Sequence, residues 1–162
     1  MLIGEKIRKT REYLDYIEEH VENVRKAFIE FSEKCNGLHI IGDDYSWFTL
    51  KEEVLSHDIS KMSCEEFVQY RESFYPVSDT EKAEANMGEA WNHHKESNSH
   101  HWESLSGYID VAHMVIDWMA MGYKFGDTAQ EYYENNKDRI EISDDNLKSM
   151  FEMFDKLYGE KG

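Results

Sequence analysis

Apolar residues recur at spacings of three and four along most of this chain, the mark of helices that each bury one stripe. From about Glu5 to Lys34, the positions Leu14, Ile17, Val21, Val24, Phe28 and Phe31 form such a stripe. His20 lies three residues after Ile17 and four before Val24, so it sits on the stripe's edge and points inward. Cys35-Asn36-Gly37 stops the helix. Residues 36–46 read as a loop with Gly42-Asp43-Asp44 that could form a short hairpin, and the only alternating strand-like pattern is a few residues near His39–Ile41. A second helix is expected from about Ser46 through Trp47, Leu50, Val54 and Leu55, leading to His57-Asp58. Ser63-Cys64-Glu65-Glu66 has the spacing of a capping box. The helix it opens carries Phe67, Tyr70 and Phe74 and ends before Pro76.

Residues 79–97 predict a fourth helix with Ala83, Met87, Ala90, Trp91 and His94 on one face. His93 falls with Asn86 and Glu89 on the other side, so His94 is the inward member of the His93-His94 pair. From about Gly107 to Gly122 the chain is apolar nearly all round, which predicts a central, buried helix. Gly126-Asp127 opens a short helix to about Lys137. Ser143 caps a last amphipathic helix with Leu147, Met150, Phe151, Phe154 and Leu157. There is one proline, and neither an internal repeat nor a low-complexity linker interrupts the pattern. The expectation is an all-α single domain over residues 1–162, with six to seven helices around the element at about 107–122.

Charge narrows the choice of partners. The 162 residues carry a formal net charge of −16, which disfavours nucleic acid or anionic lipid bound through a general basic surface. An anionic substrate would need a local positive centre, and a bound cation is the simplest one. Cys35 and Cys64 show no CxxC spacing and predict reduced thiols rather than a disulfide. No bilayer-spanning run or signal-peptide pattern is evident, so a soluble, cytoplasmic protein is expected. Homo-oligomerisation is left open by these features.

The candidate chemistry centres on Ser56-His57-Asp58-Ile59-Ser60-Lys61. His57-Asp58 puts a nitrogen and an oxygen ligand side by side, and neither side chain is common in a core without a partner. Asp117 stands in the middle of the most apolar helix, where a carboxylate needs a cation, a histidine or a basic side chain such as Lys61 or His113. His20, His57, Asp58, His94, His101 and Asp117 are the inward polar positions, with His93 and His100 as alternatives to their neighbours. Mixed nitrogen and oxygen donors suit Mn, Fe, Co, Ni or Zn better than a dedicated calcium site.

The order His20, His57-Asp58, His94, His101, Asp117 resembles that of the HD superfamily of metal-dependent phosphohydrolases. His57-Asp58-Ile59-Ser60-Lys61 looks like its HD-x-x-K segment. Ala90-Trp91, His94, Asn98-Ser99-His100-His101-Trp102 and Asp117-Trp118 are similar to a little-characterised family of short HD-like proteins of bacteria and their phages. That second likeness spans most of the chain. The superfamily resemblance implies a first metal on His20, His57, Asp58 and Asp117, and a second shared by Asp58 and held by His94 and His101. It implies Asp58 and Lys61 as catalytic residues, with Lys61 on a phosphate oxygen. It also implies hydrolysis of a phosphomonoester or phosphodiester in a nucleotide or another small phosphorylated molecule. The alternatives are a non-catalytic metal- or nucleotide-binding protein of the same fold, or a phage or bacterial interaction protein with a structural metal.

Overall fold

The computed structural model describes residues 3–35 and 44–159. Among these the chain is all-α: α1 (Ile3–Cys35), α2 (Asp44–Leu55), α3 (Cys64–Phe74), α4 (Asp79–Glu84), α5 (Met87–Ser97), α6 (Tyr108–Phe125), α7 (Ala129–Asn136) and α8 (Asp144–Tyr158). A short 3-10 turn, Ile59–Met62, lies between α2 and α3. Two compact units emerge. Among the described residues, one takes 3–21 together with Asp58–Asn98; the other takes 22–35, 44–57 and 99–159. Among the described residues, no helix is long and apolar enough to cross a membrane.

In the first unit, α3 packs on α4 and α5. Its core is Tyr13, Tyr70 and Ala90, flanked by Tyr16, Ile17, Phe67, Tyr75 and Met87. The predicted stripe of α1 is one position off at its start: Tyr13 is buried and Leu14 is exposed. At 100° per residue that single step carries a side chain from core to solvent. The predicted fourth helix is two helices. Asn86 lies at the break and caps α5, its side chain accepting from the Glu89 backbone N–H at 3.1 Å. Ala83 and Trp91 therefore do not line a common buried face, and Glu81 turns inward instead. Glu81 makes two hydrogen bonds with Arg71, at 2.7 and 2.8 Å, and accepts from the Val77 N–H. The Arg71 guanidinium holds the Glu81 carboxyl down at about 2.

In the second unit, α6 packs against α2, α7 and α8. Val111, Ala112, Met114, Val115, Ile116, Met119 and Ala120 are all buried, so the expected central helix is present, running to Phe125. Val24, Ala27, Phe31 and Cys35 of α1 join the same core, as do Met150, Met153, Phe154 and Leu157 of α8. Gly122 is required by packing: a Cβ there would meet the Asp127 carbonyl oxygen at 2.1 Å. Ser143 caps α8 as expected, and Thr128 with Glu131 forms a full capping box on α7. α2 begins at Asp44, two residues earlier than expected. The strand-like residues His39–Ile41, and 36–43 of the loop expected over 36–46, lie outside the described residues, while 44–46 belong to α2. Cys35 is buried and Cys64 exposed, and both are free thiols.

Candidate metal centre

His57-Asp58 follows the end of α2. The Ser56 N–H donates to the Glu52 carbonyl and the His57 N–H to the Val54 carbonyl, finishing α2. Asp58 then takes φ 54° and ψ 25°, the one non-glycine residue with positive φ among those described. Aspartate tolerates this left-handed conformation better than most residues, at a cost of about 1–2 kcal/mol. The Lys61 N–H donates to the Asp58 carbonyl at 2.9 Å and starts the 3-10 turn. His57 closes one compact unit and Asp58 begins the segment that belongs to the other. Each unit holds its own polar cluster.

In the first unit, Asp58 is the centre. The Nε2 atom of His94 lies 3.3 Å from Asp58 Oδ1, and Nε2 of His20 lies 4.0 Å from Oδ2. Lys61 Nζ is 2.7 Å from Oδ2. All of this is buried apart from the lysine, which is partly exposed. Behind it stands Glu66, with no solvent exposure. One of its oxygens is 2.7 Å from His94 Nδ1 and the other 2.7 Å from His93 Nδ1. A carboxylate can only accept, so both Nδ1 atoms carry the proton and donate. The neighbouring Glu66 carboxylate keeps His93 protonated to higher pH than a free imidazole. Asn98 ties the far end together, donating to the Ser60 hydroxyl at 2.7 Å and to the His94 carbonyl at 2.8 Å.

This corrects the capping-box expectation. Ser63 is the N-cap of α3 but accepts no side-chain hydrogen bond, and Glu66 turns to the imidazoles of α5. The consequence is chemical. His94 donates from Nδ1 to Glu66, so Nε2 is the nitrogen left to face the Asp58 carboxylate. At 3.3 Å the two atoms could share a proton or hold a cation between them.

The second unit carries His57, His100, His113 and Asp117. His57 Nε2 lies 3.6 Å from Asp117 Oδ1, and His100 Nε2 lies 3.9 Å from Oδ2. The nitrogens of His57, His100 and His113 fall within 4.8 Å of one another. The His100 ring packs at a tilt against those of His113, His101 and His57, with ring centroids 4.2, 4.3 and 4.6 Å away. So His100, the alternative at the double histidine, is the ring that reaches Asp117, while His101 packs on His100 and is partly exposed. Asp110 fixes the segment that carries both. It accepts from the Ser99 hydroxyl at 2.6 Å and from the Ser106 N–H and hydroxyl at 2.8 and 2.6 Å.

The donor spacings fit metal ligands. Donors at about 2.0–2.2 Å from one cation stand about 3–4.2 Å from each other. The four imidazole-to-carboxylate distances, 3.3, 4.0, 3.6 and 3.9 Å, lie in that range. Buried imidazole and carboxylate groups can therefore hold a metal ion here.

Residues 9–157 match the model of a family of unknown function, DUF5662. The chain belongs to that family. No curated protein and no solved structure matches it.

Two contributors escaped the sequence reading: Glu66 as a histidine partner, and His113 as a partner of His57, its Nε2 2.8 Å from His57 Nδ1. His113 had a signal, because it lies four residues before Asp117 and so shares a face of α6 with it. Glu66 had none, since its spacing from Ser63 is that of a cap.

Proposed function

We propose that the protein is a metal-dependent phosphohydrolase. It acts on a phosphomonoester or phosphodiester of a small phosphorylated molecule such as a nucleotide. The reading is supported chiefly by His94, whose Nε2 lies 3.3 Å from the Asp58 carboxylate while Glu66 accepts from its Nδ1–H. Asp58, His94 and His20 would hold one divalent transition metal, of the class Mn, Fe, Co, Ni or Zn, and Asp117, His57 and His100 a second. Bound there, such ions supply hydroxide from water near neutral pH and offset charge on phosphoryl oxygens.

The chain's own residues do the rest. Asp58 contributes anionic charge from a backbone position that only a few residue types accept. Glu66 orients His94. Lys61 neutralises Asp58 at 2.7 Å and offers a phosphate oxygen a compact positive charge. With a net charge of −16, the local cationic centre is what lets an anionic substrate approach. The test is hydrolysis of a phosphoester panel by purified protein with Mn, Co, Ni, Fe or Zn. Turnover should disappear in Asp58→Asn, and an unchanged rate would refute the assignment.

The Lys61–Asp58 pair favours one other reading, since it balances that carboxylate's charge without a metal. In that case the protein binds a metal or nucleotide without turning it over. Ligand-induced thermal stabilisation with no product would select it.

A further inference from the structure

We propose that the first half of α1 is a docking face for a second copy of this chain, the two helices running antiparallel about Leu14. Apolar residues of α1 keep a seven-residue spacing in two series, Ile7, Leu14, Val21 and Phe28, and Ile17, Val24 and Phe31. That is the a/d pattern of a coiled-coil seam. A straight helix drifts about 20° per heptad away from such a seam. Val24 and Phe31 are buried in the chain's own core, but over the first turns the stripe has come round to solvent: Leu14 is 39% exposed, Ile7 46% and Ile3 80%. At 100° per residue, Ile3, Ile7, Leu14 and Val21 fall within about 40° of one another. Tyr13 and His20, seven residues apart, take the buried face of this half instead.

Charge decides the occupant. A chain with a net charge of −16 repels its own copy in general, so a self-contact needs local complementarity. This face has it. Arg11 and Glu18 flank the stripe on one side, both exposed, three residues before Leu14 and four after it. Arg8 pairs with Glu5 and Glu12, and Lys9 with Glu12, yet neither Arg11 nor Glu18 has an ion pair among the described residues. A two-fold axis at Leu14 sets Leu14 on Leu14, Ile7 on Val21 of the second copy, and Arg11 beside Glu18 of the second copy, with the last two pairs each occurring twice. The antiparallel order follows from the same charges. Parallel helices would bring Arg11 to Lys6 of the second copy, like against like. Lys6 lies on the opposite flank and is engaged within its own chain by Glu72 and Glu81, 3.9 and 3.7 Å away.

The experiment is sedimentation velocity on the full chain across a wide concentration range, at low and at high salt. The unsubstituted protein should show a monomer–dimer equilibrium that salt weakens. Leu14→Asp, at a side chain outside the core, should sediment as a monomer at every concentration. Arg11→Glu and Glu18→Arg should each weaken the dimer about tenfold, because two attractive contacts become two repulsive ones. The double variant, Arg11→Glu with Glu18→Arg, should recover the dissociation constant of the unsubstituted protein. All three positions are exposed, so the variants keep the core intact. A protein that is monomeric throughout overturns the proposal. So does a dimer indifferent to Leu14→Asp, or a double variant no tighter than the single ones. Tighter association in Arg11→Glu alone would mean parallel pairing, and overturns it as well.

Discussion

His94 Nδ1 stands 2.7 Å from Glu66 Oε2, and that contact turns the other nitrogen of the ring toward Asp58. Glu66→Gln should preserve the fold but blur the His94 tautomer, because an amide can donate as well as accept. Metal affinity should fall about 10–100-fold. Glu66→Leu leaves two imidazoles without their acceptor and should cost about 3 kcal/mol or more of stability. Chelator competition and urea unfolding separate the two effects.

Asp58 has two roles that different substitutions can part. Asparagine tolerates φ 54°, so Asp58→Asn should fold normally while losing the carboxylate charge. Asp58→Val places a β-branched side chain in the left-handed region and should destabilise by a further 1–2 kcal/mol or so. Thermal melts of the two variants, compared with their metal binding, check the distinction.

Acid sensitivity should trace in part to Glu81. Its folded carboxyl is held at about 2 by Arg71, below the ordinary 4.5. The pair's contribution is therefore full above about pH 4.5 and is lost as pH falls toward 2. Glu81→Gln should lose about 3 kcal/mol at neutral pH and show a flatter stability profile between those limits. Urea midpoints across that window provide the measurement.

The two thiols should differ sharply. Cys64 is exposed, whereas Cys35 is fully buried, and burial pushes its thiol up to about 11. A thiol reagent at neutral pH should modify Cys64 at once and Cys35 only after unfolding. Mass spectrometry of digested protein reads this directly.

Much of the helical plan was legible in the chain. His20 and His94 point inward because their helical phase puts them there, and the apolar run after Gly107 does form the buried α6. The missed features are those that local spacing cannot carry. Glu66 has the offset of a cap, yet its partners are 27 and 28 residues away. The break before Asn86 has no proline or glycine to announce it, only a side chain that caps the next turn. At His100-His101 both residues are histidine, so spacing alone does not say which ring lies nearer Asp117.

Anomalous diffraction from crystals of the cobalt-loaded protein tests the central claim most directly. The account predicts a peak at Asp58 with His94, a peak at Asp117 with His57 and His100, and loss of the first in Asp58→Asn. Crystals soaked in saturating cobalt with no peak at either carboxylate would contradict it.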